Sequence, residues 1–151
     1  MHRIIRTWAI LPALAVALTS AACTSRDAET DTRSEIGGEV TTAVRVTDVT
    51  LGRAIGTDKR VTNETDDFRA RDTIYVSIVT EGSAREARLT ARWTYQDGQV
   101  VDESSQTIAP SGTTVTEFHV ARPSGWPAGN YTLRVLLDGR EVESEEFEVQ
   151  G

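Results

Sequence analysis

The stretch Ala87–Val101, "ARLTARWTYQDGQVV", decides the fold. Ala87, Leu89, Ala91, Trp93 and Tyr95 alternate with the polar Arg88, Thr90, Arg92 and Thr94. A period of two marks a strand with one face on a core and one in water, because successive strand side chains leave on opposite sides. Asp97-Gly98 interrupts the run before Val100-Val101 resumes it. An Asp-Gly pair accepts the positive φ angles of a type I′ turn, so the stretch reads as a hairpin.

The same pattern extends in both directions. Ile74, Val76 and Ile78 alternate with Thr73, Tyr75 and Ser77, and Tyr131, Leu133, Val135 and Leu137 alternate with Thr132, Arg134, Leu136 and Asp138. Asp138-Gly139 marks a second hairpin, and Ala109-Pro-Ser-Gly112 a further break. Seven strands follow, near 41–51, 72–80, 87–96, 99–108, 113–121, 130–138 and 140–149. Short strands at regular turn spacing make an all-β sandwich or barrel. Apolar parity switches twice, between Val46 and Val49 and between Val142 and Phe147. Each switch requires a bulge or a change of sheet.

The first 39 residues differ in kind. Met1–Arg6 carries two arginines, Thr7–Leu18 is apolar, and Thr19–Ala22 is small and precedes Cys23, the single cysteine. A basic start, a short apolar run and small residues read as an export signal. The run is shorter than the roughly 20 residues of a spanning helix. Thr24–Glu39 is polar and buries too little to offset ordering entropy, so it reads as a tether. As a coil of this length it spans about 20–24 Å. The expected organisation is a cleaved leader over 1–22, an anchor and tether over 23–39, and one domain over 40–151.

The junction "LTSAAC" resembles the lipobox of bacterial lipoproteins, with Ala21 and Ala22 in place and Ser20 where the family usually has Leu. The resemblance implies that Cys23 is lipidated and becomes the first residue of the mature chain. It also implies a membrane partner through the lipid. Thr24, rather than Asp, after the cysteine implies the outer membrane of a Gram-negative cell, with the domain facing the periplasm. Buried acyl chains contribute about 0.8 kcal/mol per CH₂, so several chains anchor firmly. The formal net charge of −7 becomes −9 once Arg3 and Arg6 leave with the signal. Such acidity argues against nucleic acid as a partner.

The domain itself resembles an immunoglobulin-like or fibronectin-III-like sandwich. Trp93 stands where such domains keep a core tryptophan, and Tyr131 stands where they place a tyrosine corner. The disulfide pair of antibody domains is missing. The resemblance spans about residues 40–150, and it speaks to fold more than to function.

Residues with chemistry are few. His119 in "TEFHVAR" is the sole histidine of the mature chain, and it neighbours the inward Phe118 and Val120, so it faces water. No nucleophile elbow, zinc-ligand cluster or phosphate loop is present in the sequence. The loop "GTDKRVTNETDDF" (56–68) is rich in acids but lacks the ordered spacing of a calcium loop. No cofactor is expected. Arg88, Arg92 and Arg134 fall on one outward face, either as an anion-binding patch or as partners of acidic neighbours. Tyr75 and Leu136 also point outward. The last strand carries Glu141, Glu143, Glu145, Glu146 and Glu148, which reads as a site for a cation or basic partner, or as protection of an exposed sheet edge. "GWPAGNYTL" (125–133) is an aromatic platform or the corner that joins two strands. The chain is thus expected to be a non-catalytic envelope lipoprotein, a protein-interaction or binding module whose partner is an envelope protein or a glycan. A glycan-binding module using Tyr75 or Trp126, or an inhibitor or enzyme accessory, is the alternative.

Overall fold

A computed structural model describes residues 42–151. The expected leader, Cys23 and the expected tether lie outside the described residues. Eight strands follow: β1 (Arg45–Gly52), β2 (Asp67–Arg69), β3 (Ile74–Glu81), β4 (Ala87–Tyr95), β5 (Val100–Ile108), β6 (Thr114–Val120), β7 (Gly129–Leu137) and β8 (Arg140–Gln150). The expected count of seven is therefore one short. The additional strand, β2, lies inside the loop expected between the first two long strands. Three residues with one apolar side chain, Phe68, are too few to show alternation, and β2 exists because it pairs in parallel with β8, far away in sequence.

The strands form two sheets, ordered β1-β3-β6 and β2-β8-β7-β4-β5. Their facing sides make the core. Leu51, Ile74, Val76, Ile78, Phe118 and Val120 of the first sheet meet Phe68, Leu89, Trp93, Leu133, Val135 and Phe147 of the second, all buried. Burying each such side chain contributes about 1.5–3 kcal/mol. Trp93 is fully buried, and its ring meets Phe147 edge to face at 5.8 Å. Its indole N–H has no hydrogen-bond partner. The ring sits at the centre for its apolar bulk.

Both parity switches are bulges. In β1 the register slips between Val46 and Asp48. In β8, Val135 of β7 faces Glu143 while Leu136 faces Glu141, so Val142 has no partner and is left exposed. Phe147 and Val149 thereby reach the core although Val142 does not.

The two Asp-Gly turns differ. Asp138 and Gly139 both have positive φ, 50° and 80°, as a type I′ turn requires. At Asp97-Gly98 only the glycine is positive, at 82°. There the Gly98 amide donates to the Tyr95 carbonyl (2.6 Å) and the Tyr95 amide to the Gln99 carbonyl (2.8 Å). This is the longer hairpin closed by a glycine bulge, not the expected type I′ turn.

Candidate functional site

Residues 53–66 carry the chain from one sheet to the other. The segment folds back on itself: Ile55 bridges Val61, and the Gly56 amide donates to the Arg60 carbonyl (2.7 Å). It then lies along β1, with the Arg53 amide on the Asn63 carbonyl (2.9 Å) and the Thr65 amide on the Leu51 carbonyl (3.1 Å). Gly52 permits this approach, since a Cβ there would stand 2.2 Å from the Asn63 carbonyl oxygen. The long irregular loop expected here is an ordered arm.

Beyond the arm, one end of the sandwich is closed by a dense corner. Asp72 accepts from the Arg69 amide (2.9 Å) and from Arg53 Nε (2.8 Å). Burial pushes the Asp72 carboxyl up, but the Arg69 amide and the Arg53 guanidinium outweigh it and hold the group below the usual aspartate value. Trp126 Nε1 donates to the Asp72 carbonyl (3.1 Å), and the Trp126 amide donates to the Ala70 carbonyl (2.7 Å). Trp126 packs edge to face on Tyr131 at 5.5 Å, and Tyr131 stacks on Phe147 at 5.2 Å. The Tyr131 hydroxyl donates back to the Pro127 carbonyl (2.8 Å). Its pKa is raised, by burial first and by Tyr95 second. Trp126 is only 3 % exposed, so the aromatic surface that glycan binding requires faces inward. That corrects its place among the candidate binding residues: the apolar stretch closes the fold.

The expected arginine stripe exists as a geometry, and two of its three members, Arg92 and Arg134, are ion-paired. Arg92 of β4 lies directly opposite Arg134 of β7. Arg92 Nε, however, pairs with Glu103 of β5. Arg134 Nη1 contacts both oxygens of Glu141 at 3.1 and 2.9 Å. The Arg88 amide donates to Asp138 Oδ1 (2.7 Å), which ties β4 to the β7–β8 turn. Exposed pairs of this kind contribute about 0–1 kcal/mol each. They nonetheless give Arg92 and Arg134, two of the three arginines of the expected patch, a carboxylate partner each. Leu136, expected to face water, is on that outer face but is 7 % exposed, because β7 is a central strand with β4 and β8 on either side.

Tyr75 sits on the outer face of β3, opposite His119 of β6, with ring centroids 5.6 Å apart. His119 Nδ1 is 2.7 Å from Glu117 Oε1 on the same strand. His119 is exposed, as the sequence pattern of inward Phe118 and Val120 implies, whereas Tyr75 and Glu117 are half-buried.

A different surface gathers more unpaired chemistry. β8 is paired with β7 along its length, but β2 covers its other side only at Glu148–Gln150. Upstream of Glu148 that side is open among the described residues. Two recesses flank it. One, of about 490 Å³, lies between the sheets and is lined by Val49–Leu51, Glu64–Asp66, Glu145 and Glu146. The other, of about 420 Å³, lies on the outer face and includes Asp66, Asn130, Thr132, Glu146 and Glu148. Glu145 faces Leu133, and Glu143 faces Val135, so both carboxylates share the inner face with core residues. Burial first, then Glu143 and Asp48, push the Glu145 carboxyl above the ordinary glutamate value. No group of His, Cys, Asp and Glu among the described residues has the geometry to hold a metal ion. The acidic strand was visible in the sequence. That Glu143 and Glu145 turn inward was not, because it depends on the bulge at Val142 and on Asp48 arriving from the other sheet.

The chain matches no known family profile, and no curated protein is similar to it in sequence. Solved structures resemble it in fold. An immunoglobulin-like protein from Pseudomonas aeruginosa is 17% identical, with 74% of this chain and 99% of that one covered and a TM-score of 0.52. The C-terminal domain of Wzt is 8% identical, over 72% of this chain and 74% of that one, with a TM-score of 0.54. At these identities the likeness is one of fold, and it makes residues 42–151 an immunoglobulin-like β-sandwich.

Proposed function

We propose that the chain is a non-catalytic lipoprotein of the bacterial envelope whose sandwich is a protein-interaction module. Lipid on Cys23 holds it at the outer membrane, and residues 24–39 let the domain stand off into the periplasm. The observation that carries the reading is the open side of β8. Two neighbouring recesses meet there at Asp66 and Glu146. Rigid sandwiches commonly serve as platforms for recognition by edges and loops. The glycan reading loses one of its two aromatics with Trp126 in the core.

The test is affinity capture of the lipidated full chain from its native envelope, followed by mass spectrometry, with Cys23→Ala as the unanchored control. The reading expects a reproducible protein partner and a Cys23→Ala chain that leaves the membrane fraction. Retention of polysaccharide alone would contradict it.

A further inference from the structure

The hydrogen bonds of β8 show which of its backbone groups are open. The Glu148 amide donates to the Asp66 carbonyl (2.8 Å), so at Glu148 the backbone points away from β7 and toward β2. Strand residues alternate in this respect. Glu146 and Ser144 therefore aim their N–H and C=O groups the same way, where β2 no longer reaches. The chain leaves this line at Asp66 to cross to β1, where Gly52 bridges Glu64. A place for a further strand is thus open beside residues 143–147.

An added strand would send alternate side chains to opposite faces of the sheet. The recesses of about 490 and 420 Å³ lie on those two faces and share Asp66 and Glu146. Side chains entering the inner recess meet Glu64, Asp66 and Glu145, and those on the outer face meet Asp66, Asp67, Glu146 and Glu148. Among the described residues none of these carboxylates stands in an ion pair, in contrast with Glu103 and Glu141.

We propose that the open side of β8 accepts an extended basic segment of a partner protein by strand addition, its Lys or Arg side chains alternating into the two carboxylate-lined recesses. This deepens the interaction-module reading and rests on it. The occupant follows from charge. A second copy of this chain would place one acidic β8 against another, and like charges across a strand pair are unfavourable. The chain's own residues 24–39 carry Asp27, Glu29, Asp31, Glu35 and Glu39 against Arg26 and Arg33, so they do not complement it either. The carboxylates that keep unrelated strands off this edge thus also select a basic one.

The probe is a seven-residue peptide alternating Lys and Val, compared with its Glu-for-Lys counterpart, on the full chain in detergent. Binding is read by fluorescence anisotropy and by hydrogen exchange. The lysine peptide is expected to bind at least tenfold more tightly than the glutamate peptide, more weakly as salt rises, and to protect amides within 143–147. Glu146→Lys is expected to lower its affinity at least tenfold. Ser144→Pro removes an outward N–H without touching the β7 ladder, and it is expected to do the same while keeping the Tm. Equal binding of both peptides, or protection elsewhere, overturns the proposal. In the envelope capture, a partner retained equally by wild type and Glu146→Lys leaves the interaction module standing and overturns this site. Peptide binding at 143–147 with no captured protein supports the site and counts against the module.

Discussion

Two carboxylates at two places in the sandwich are treated in opposite ways. At the corner, Asp72 is surrounded by the Arg69 amide, Arg53 and the Trp126 indole that reads its carbonyl, and its pKa falls. At the seam between β1 and β8, Glu145 is partly buried beside Glu143 and Asp48, and its pKa rises. Both residues are acidic and both are partly shielded from water. The difference is whether the shielding atoms donate hydrogen bonds or repel. The corner is finished within the chain, whereas the seam holds charge for which the described residues provide no counterpart.

The largest loss of stability is expected at the corner. Trp126→Ala empties a site enclosed by Tyr131, Asp72 and Ala70, and it should cost about 3–5 kcal/mol in a denaturant titration. A loss below 1 kcal/mol would mean that the indole is dispensable to the fold. Asp72→Ala removes the acceptor of a main-chain amide and a guanidinium, and it should cost about 1.5–3 kcal/mol. Tyr131→Phe deletes a single hydrogen bond to the Pro127 carbonyl and should cost about 1 kcal/mol. An unchanged Tm would remove that bond from the account. The seam should respond with the opposite sign. Glu145→Gln relieves repulsion and desolvation, so at pH 7 it should stabilise the domain by about 0.5 kcal/mol. A destabilised variant would show that Glu145 has a favourable partner.

The corner was more legible in the sequence than the seam. Gly125, Pro127, Gly129 and Tyr131 are local to one another, and their turn chemistry points to a corner without knowledge of the rest. The long alternating runs likewise mark most strands, since burial of one face forces a period of two. β2 escaped because Phe68 alone cannot establish a period, and its partner β8 is about 80 residues on. The arginine row was placed correctly by parity, but its neutralisation depends on which strands flank it. Glu103 comes from β5 and Glu141 from beyond the β7–β8 turn. The seam is the least local feature of all. It needs the arm 53–66 to switch sheets, β2 to begin only at Asp67, and β8 to bulge at Val142.

The pH dependence of the two carboxylates has opposite signs. Asp72, with a lowered folded pKa, contributes stability above its unfolded value of about 3.9, and that contribution is lost as pH falls through the folded value. Glu145, with a raised folded pKa, costs stability above that value. The cost is relieved as pH falls through it, and it is gone below the unfolded value of about 4.3. The most direct measurement is a side-chain carboxyl ¹³C NMR titration of Asp72 and Glu145 in the full chain. Asp72 is expected to titrate below the ordinary aspartate value and Glu145 above the ordinary glutamate value, with the Glu145 shift reduced, though not abolished, in Asp48→Asn/Glu143→Gln, since burial is its first cause. Glu145 titrating at or below its ordinary value would contradict the picture of a seam left without a counter-charge.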